Sequence, residues 1–443
     1  MKSQSARPEF CKKRAFSAVQ ITHAAFLGLV LWGAALSTGC EKVTTETVEK
    51  WKGTVKGPDK LQDALKSGSV DPEMRARAAV ALQGLGRGDF VATTFRDMSD
   101  RTAVVSALVK LEAAAIAGGK PGAQDARDVL FTVREHTAGA ERASVDQSLM
   151  VALEHQMTST GNMGGSQSLA KIVEALGPAS TPMLVKLMAL PKAPHAEVAD
   201  LLAKVGDADA KSQAGDALLV FAKKSTAVEP GMWRALGLLP SPAVVNFLQH
   251  QVDKAPWQQA QQAARALQVQ PHPELAEFAV SRAADRGLHG NVREEMFGLA
   301  GSCCGEATVP GLIQIIQTAS DPIVKYRTYE AILQAAGPKG IDAGLAAFAE
   351  KASYKPEDFD DFLVKETQKL GAAARPSLLS LLTSPSVIKR TVAVLVLAKL
   401  GTADDAQQLK SLANDKGVVK GFPPARSVGR EATRVASLLA KGT

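Results

Sequence analysis

Glycines placed to end helices recur about every 32 residues, and this spacing constrains the fold more than any other sequence feature. They are Gly177, Gly206, Gly237, Gly301, Gly337, Gly371 and Gly401. The interval from Gly237 to Gly301 is twice the repeat length, which implies that one helix stop is missing near Val269. A second pattern, Gly-x4-Pro, agrees with this spacing; it occurs at Gly177/Pro182, Gly237/Pro242, Gly305/Pro310 and Gly371/Pro376. Glycine accepts the left-handed conformation that stops a helix, and proline fits the first turn of the next. The pattern predicts stacked repeats that share one continuous core.

Each repeat is expected to be a pair of helices. Apolar residues follow each of these prolines two, five and six positions later, which gives the helix one buried stripe. Asp71-Pro72 supplies an N-cap with a first-turn proline, and Gly86 supplies the stop for that helix. Aromatic residues make up only 5% of the chain, and strand-like alternation is hard to find. The sequence therefore predicts an all-α fold of antiparallel helix pairs.

The segment 301–337, with Gly301, Pro310, Asp321-Pro322 and Gly337 in order, resembles a HEAT repeat of the short bacterial kind. The resemblance covers about 57–90 and 165–443. It is weaker over 91–164, where less regular helical repeats are expected. It implies a right-handed α-solenoid spanning 57–443, with ten to eleven pairs. Its concave surface would be lined by the second helix of each pair and would hold a protein or peptide.

The N-terminus has the pattern of a bacterial export signal. Basic residues precede a 13-residue apolar run, which is too short to span a bilayer comfortably. The ending Leu36-Ser37-Thr38-Gly39-Cys40 resembles a lipobox, although Leu36 lies one place further out than usual. The resemblance implies removal of residues 1–39 and lipidation of Cys40, with several acyl chains as a stable anchor. An ordinary cleaved signal and an uncleaved anchor remain as alternatives.

Residues 40–56 are polar and are expected to form a tether between the lipid and the repeats. Glu41 after the cysteine favours the outer membrane, facing the periplasm, with secretion to the periplasm as the alternative. The net charge of +7 gives little support to nucleic-acid binding, because the signal segment alone contributes +4. We therefore expect membrane attachment and a protein partner but no nucleic acid, and the oligomeric state stays open.

No catalytic, cofactor-binding or metal-binding residues are predicted. The seven histidines form no HExxH motif or other close pair, and no Gly-x-Ser-x-Gly elbow or Walker loop occurs. Cys303 and Cys304 are a candidate redox pair, because a vicinal disulfide in an oxidising compartment would be easily reduced. The preferred interpretation is two small, partly buried thiols in a turn between repeats.

Two segments are candidate partner loops, through the residues Tyr354, Phe359, Phe362, Lys420, Phe422, Arg426 and Arg430. The first combines aromatic and acidic residues; its simpler interpretation is a helix that starts at Pro356 and turns both phenylalanines to the core. The second is a basic insertion over 416–430; its simpler interpretation is a flexible turn before a terminal helix over 431–440.

Three functions follow as hypotheses. The first is a non-enzymatic envelope lipoprotein whose solenoid binds a protein partner as a scaffold or assembly factor. The second is an enzyme, or a subunit that positions one, with a site assembled on the solenoid; some relatives of short HEAT arrays attach tetrapyrrole chromophores. The third is a structural spacer without a specific ligand.

Overall fold

The structure is a computed structural model that describes residues 42–119, 122–160, 167–191, 193–224, 228–270, 272–348, 362–418 and 427–441. Within these ranges it contains helices and turns and no β-strand, which confirms the predicted all-α class. Buried apolar side chains form one continuous cluster, from Val48 near the start of the described chain to Leu439 near its end.

Most helices follow one another with short connections, and the longest intervals between described helices are residues 346–364 and 411–427. The first eight are α1 Thr45–Lys52, α2 Gly57–Lys66, α3 Pro72–Gly84, α4 Gly88–Asp97, α5 Arg101–Ala117, α6 Ala123–Arg134, α7 Gly139–Thr160 and α8 Gln167–Leu176. The next eight are α9 Thr181–Met188, α10 His195–Val205, α11 Ala208–Lys224, α12 Pro230–Leu238, α13 Pro242–Lys254, α14 Trp257–Leu267, α15 Ala276–Ala284 and α16 Gly290–Ser302. The last eight are α17 Val309–Thr318, α18 Pro322–Ala336, α19 Gly340–Leu345, α20 Lys365–Gln368, α21 Arg375–Leu381, α22 Val387–Leu400, α23 Asp405–Lys410 and α24 Val428–Ala440.

Helices contact their second neighbours as well as their first. From α8 to α24, every even-numbered helix contacts the next even-numbered one, and we call this series the even row. Odd-numbered helices form contacts of the same kind from α1 to α13 and again from α15 to α21. Helix α7 contacts both α8 and α9, so it lies where the even row begins.

The predicted helix starts and stops are largely confirmed. Asp71 accepts a hydrogen bond from the backbone of Glu73 at the start of α3, and Pro72 is the first residue of that helix. Gly86 has a φ of 73°, the left-handed conformation that ends α3. The prolines of the Gly-x4-Pro pattern all lie in the first turn of a helix, at the starts of α9, α13, α17 and α21.

Part of the segment predicted as a tether over 40–56 is folded. Residues 45–52 form α1, which contacts α2 and α3 and buries Val48 and Trp51. The side chain of Thr44 accepts a hydrogen bond from Thr47 at the start of this helix. The folded array therefore begins before residue 57, because two apolar residues three apart on one helical turn are enough to dock the segment.

Candidate interaction surface

Ion pairs join consecutive helices of the even row and form what we call the ion-pair ladder. Its members are Glu174–Lys204, Asp200–Arg234, Arg265–Glu295 and Glu294–Arg327. The first three pairs join residues 30, 34 and 30 positions apart, close to the predicted repeat of 32. Exposed pairs contribute little to stability because water screens them. They do leave a strip of alternating charge and hydrogen-bonding groups along one row of helices.

Glu295 on α16 is the best-connected residue of the ladder. Its carboxylate accepts hydrogen bonds from Arg265 Nε at 2.8 Å and Gln261 Nε2 at 3.0 Å, both on α14. Gln268, just beyond α14, donates to the same carboxylate and to the Glu295 carbonyl oxygen. This arrangement fixes the register of α14 against α16 with side chains that remain partly open to solvent.

Two of the glycines predicted to end helices have a different role. Gly237 and Gly301 are the penultimate residues of α12 and α16 and are helical themselves. A Cβ atom at Gly237 would lie 2.5 Å from the carbonyl oxygen of Ala266 near the end of α14. One at Gly301 would lie 3.1 Å from the Cα of Ala331 on α18. These glycines recur because neighbouring even-row helices approach too closely for a side chain, and the prediction of helix stops there was wrong.

Exposed rings lie at the N-terminal ends of two even-row helices, α14 and α16. Trp257, the first residue of α14, is 40% exposed. Its ring stacks on that of His289, which caps α16, with centroids 4.4 Å apart and planes 9° from parallel. Ile323 near the start of α18 is 69% exposed. Because stacking leaves one ring face open, the N-terminal ends of α14, α16 and α18 offer apolar contact area beside the charged strip.

Two open grooves of about 560 Å³ each lie along α13 and share Asn246. The first is lined by Pro240, Ser241, Pro242, Val245, Asn246, Gln249, His272, Glu274 and Leu275. The second is lined by Ala222, Lys223, Val228, Ala243, Asn246, Phe247, His250, Gln251 and Gln259. Both are rich in amide and apolar groups. In the first, Ser241 donates to Asp216 at 2.5 Å and His272 Nδ1 lies 3.2 Å from Glu274 Oε1, so the hydroxyl and the imidazole contact different acids.

The structure joins Cys303 and Cys304 in a disulfide, and not as the two separate thiols that the sequence favoured. The pair follows α16 and lies just before Gly305, whose φ of 54° begins the turn into α17. Both residues are buried, and Cys304 Sγ lies 3.4 Å from the carbonyl oxygen of His272. His272 lines the first groove, so the disulfide contacts the backbone of a groove-lining residue.

The residues predicted for the partner loops are not brought together among those described. Phe362 packs on Tyr326 with ring centroids 4.9 Å apart, which agrees with the simpler core interpretation for that residue. Arg430 is exposed near the start of α24. The other members, Tyr354, Phe359, Lys420, Phe422 and Arg426, lie outside the described residues, as do residues 1–39 and Cys40.

Glu112 is the one strongly perturbed acid in the described structure. It lies on α5 without solvent exposure; Ser148 on α7 donates to its Oε2 at 2.6 Å, while its Oε1 has no partner among the described residues. Burial raises the pKa of Glu112 to about 7, and the Ser148 hydrogen bond and the charge of Arg127 only partly oppose this. Neither of the two grooves along α13 is lined by Glu112, and we assign it no chemistry.

Two arginines have a structural role that the pattern of caps and glycines did not predict. Arg75, the fourth residue after the cap of α3, donates from Nε to the Leu65 carbonyl at 3.0 Å and pairs with Asp100. Arg390 repeats this arrangement on α22, donating to the Ser384 carbonyl and pairing with Asp415. In both cases the acid lies 25 residues further on. The recurring cation four residues after a helix cap was the visible signal.

The described residues contain no group of three or more histidine, cysteine, aspartate or glutamate side chains placed to hold a metal ion. No described helix combines the length and the apolar character needed to cross a bilayer. A comparison with protein-family models gives no match, and a comparison with curated proteins finds no similar sequence.

Proposed function

We propose that this chain is a membrane-anchored envelope lipoprotein that binds a protein partner as a non-enzymatic scaffold or assembly factor. In this proposal residues 1–39 are a signal peptide and Cys40 carries the lipid. The helices form a right-handed α-solenoid of the short HEAT-repeat type. The anchored protein faces the periplasm from the outer membrane, and its partner lies on the concave face.

The ion-pair ladder is the observation that carries this proposal. Pairs one repeat apart, together with contacts between successive even-row helices, are what a stacked array of helix pairs would produce. A partner protein could replace water along this strip, where charged groups of both signs alternate. The exposed stack of Trp257 on His289 adds the kind of aromatic anchor that interfaces use.

In-cell cross-linking tests the proposal at the level of the whole protein. A tagged full-length chain is cross-linked in its native cells beside a Cys40→Ala variant, and captured proteins are identified by mass spectrometry. We expect one dominant partner that is lost or strongly reduced in the variant, because the lipid holds the array where the partner resides. Capture of no partner from either chain would contradict the scaffold and favour the spacer.

A pair of matched variants tests which face is used. Gln258→Arg, Asn291→Arg and Gln334→Arg place three bulky cations on the exposed sides of α14, α16 and α18. Ser281→Arg, Gln314→Arg and Gln317→Arg add the same charge to exposed positions on α15 and α17. We expect the even-row variant to lose the cross-linked partner and the control to retain it. Loss in the control alone would move the binding face to the odd-numbered helices.

A further inference from the structure

The last helices of the chain differ in charge from residues 40–383. Residues 384–443 contain ten Lys and Arg against four Asp and Glu, whereas residues 40–383 contain 37 against 40. The chain that remains after signal removal is therefore close to neutral along most of its length and strongly basic at its C-terminal end. A charge excess confined to one end produces a local field instead of a general attraction for anions.

Most acids in this region are already used in ion pairs. Asp415 pairs with Arg390 at 2.6 Å, Glu431 pairs with Arg434, and Asp405 pairs with Arg375 at 2.8 Å. The fourth acid, Asp404, lies at the other end of α23 from Lys410. Lys389 pairs with Asp342 at 2.7 Å, whereas Lys410, Lys416 and Arg430 have no ion pair among the described residues.

Three of these cations come from chain segments that meet around Gly429. The backbone N–H of Gly429 donates to the Asp415 carbonyl at 3.0 Å, and that of Val428 donates to the Gly417 carbonyl at 2.9 Å. A Cβ atom at Gly429 would lie 2.5 Å from the Ala413 carbonyl oxygen, so the turn after α23 also lies against this point. Lys410, Lys416 and Arg430 emerge from these segments, and each is exposed. We call these three residues the basic C-terminal surface.

We propose that the basic C-terminal surface binds the anionic headgroups of a phospholipid bilayer, as a second membrane contact remote in sequence from the N-terminal lipid. The inference rests on the proposed function, because lipidation at Cys40 is what brings the array to a bilayer. Clustered lysines and arginines beside a membrane bind anionic lipid by about 1 kcal/mol each. A lipid at one end and a charged contact at the other would lay the array along the membrane.

Vesicle flotation tests this contact without the acyl anchor. The probe is the chain from residue 40 carrying Cys40→Ser, mixed with vesicles of phosphatidylcholine alone or with about one-third phosphatidylglycerol. We expect binding only to the anionic vesicles, and its loss at about 0.5 M salt because screening shortens the reach of exposed charges. Equal binding to both vesicle types, or no binding to either, would overturn the proposal.

Two charge-matched variants locate the contact. Lys410→Gln, Lys416→Gln and Arg430→Gln remove the surface; Lys223→Gln, Lys224→Gln and Lys254→Gln remove three exposed cations from α11 and α13. If each cation contributes a factor of about five to the affinity, the first variant should bind anionic vesicles about 100-fold more weakly than the parent chain. The second variant should bind like the parent chain. An equal loss in both would show that overall charge, not this surface, is responsible.

Circular dichroism checks that both variants are folded. All six side chains are exposed, so we expect both variants to unfold at the same temperature as the parent chain. The cross-linking experiment distinguishes a failure of this lipid contact from a failure of the proposed scaffold function. Loss of vesicle binding with an intact cross-linked partner would remove the second membrane contact and leave the scaffold standing. Retention of vesicle binding by the first variant would place the lipid contact elsewhere and overturn the assignment.

Discussion

At the scale of single residues, Glu112 couples folding to pH. Its pKa is raised from 4.5 to about 7 by burial, so the folded chain holds this proton at pH values where the unfolded chain has released it. The favourable contribution is fully present below pH 4.5 and is lost as pH rises through 7. We expect the unfolding free energy to fall by about 3 kcal/mol across this window through this group.

Denaturant unfolding between pH 5 and 8 measures this effect. The Glu112→Gln variant keeps a neutral side chain that can still hydrogen-bond with Ser148, so its stability should vary less with pH and exceed that of the parent at pH 8. Glu135→Gln is the control, because Glu135 is exposed in the same region. A parent chain and Glu112→Gln variant with parallel pH profiles would contradict the role assigned to burial.

Arg75 supports a second residue-scale prediction. Its guanidinium is 2% exposed and satisfies the Leu65 carbonyl at the end of α2. Arg75→Ala would leave that carbonyl without its donor and remove buried packing, so we expect a loss of about 2 kcal/mol in thermal or denaturant unfolding. Arg77→Ala, which removes only an exposed pair with Glu73 on the same helix, should cost about 0.5 kcal/mol or less. Equal losses would refute the capping role.

At the scale of helices, the repeat is maintained by close approach as well as by helix stops. A methyl group at Gly237 would overlap the Ala266 carbonyl, so α12 and α14 must separate to admit it. We expect Gly237→Ala to lower the unfolding free energy by about 2 kcal/mol, as overpacking does in other cores. Gly290→Ala in the first turn of α16 meets no atom within 4 Å and should be neutral or slightly stabilising. Stabilisation by Gly237→Ala would show that the two helices separate at little cost.

The sequence predicted local features well and contacts between helices poorly. Asp71-Pro72 and Gly86 were recognisable because capping and left-handed stops depend on only a few neighbouring residues. Gly237 and Gly301 were misassigned because the same residue type also serves close helix contacts, which depend on residues a whole repeat away. Glu112 was missed because a charged residue in a helix pattern is ordinarily placed on the solvent face.

The sequence could predict that a continuous surface exists, but not which contacts lie on it. A repeat with a fixed period places equivalent residues of the even row side by side, so the existence of a continuous face follows from the spacing. The charge pairs on it do not, since Glu174 and Lys204 pair only because their two helices adopt a particular register. The stack of Trp257 on His289 likewise joins residues from neighbouring repeats that no local motif connects.

At the scale of the whole molecule, the proposed solenoid has a shape that scattering can measure. A compact globule of about 400 residues has a radius of gyration of about 22 Å. Ten to eleven helix pairs stacked at spacings of about 10 Å would instead extend to roughly 100 Å, with a radius of gyration of about 30 Å. Small-angle X-ray scattering of the chain from residue 40, carrying Cys40→Ser, should therefore give the larger value and a pair-distance distribution with a long tail. The contacts along the even row from α8 to α24 favour this outcome, because each even-numbered helix there contacts the next even-numbered helix. A radius of gyration near 22 Å at several protein concentrations would reject the extended array, and with it the long concave face on which the partner is proposed to bind.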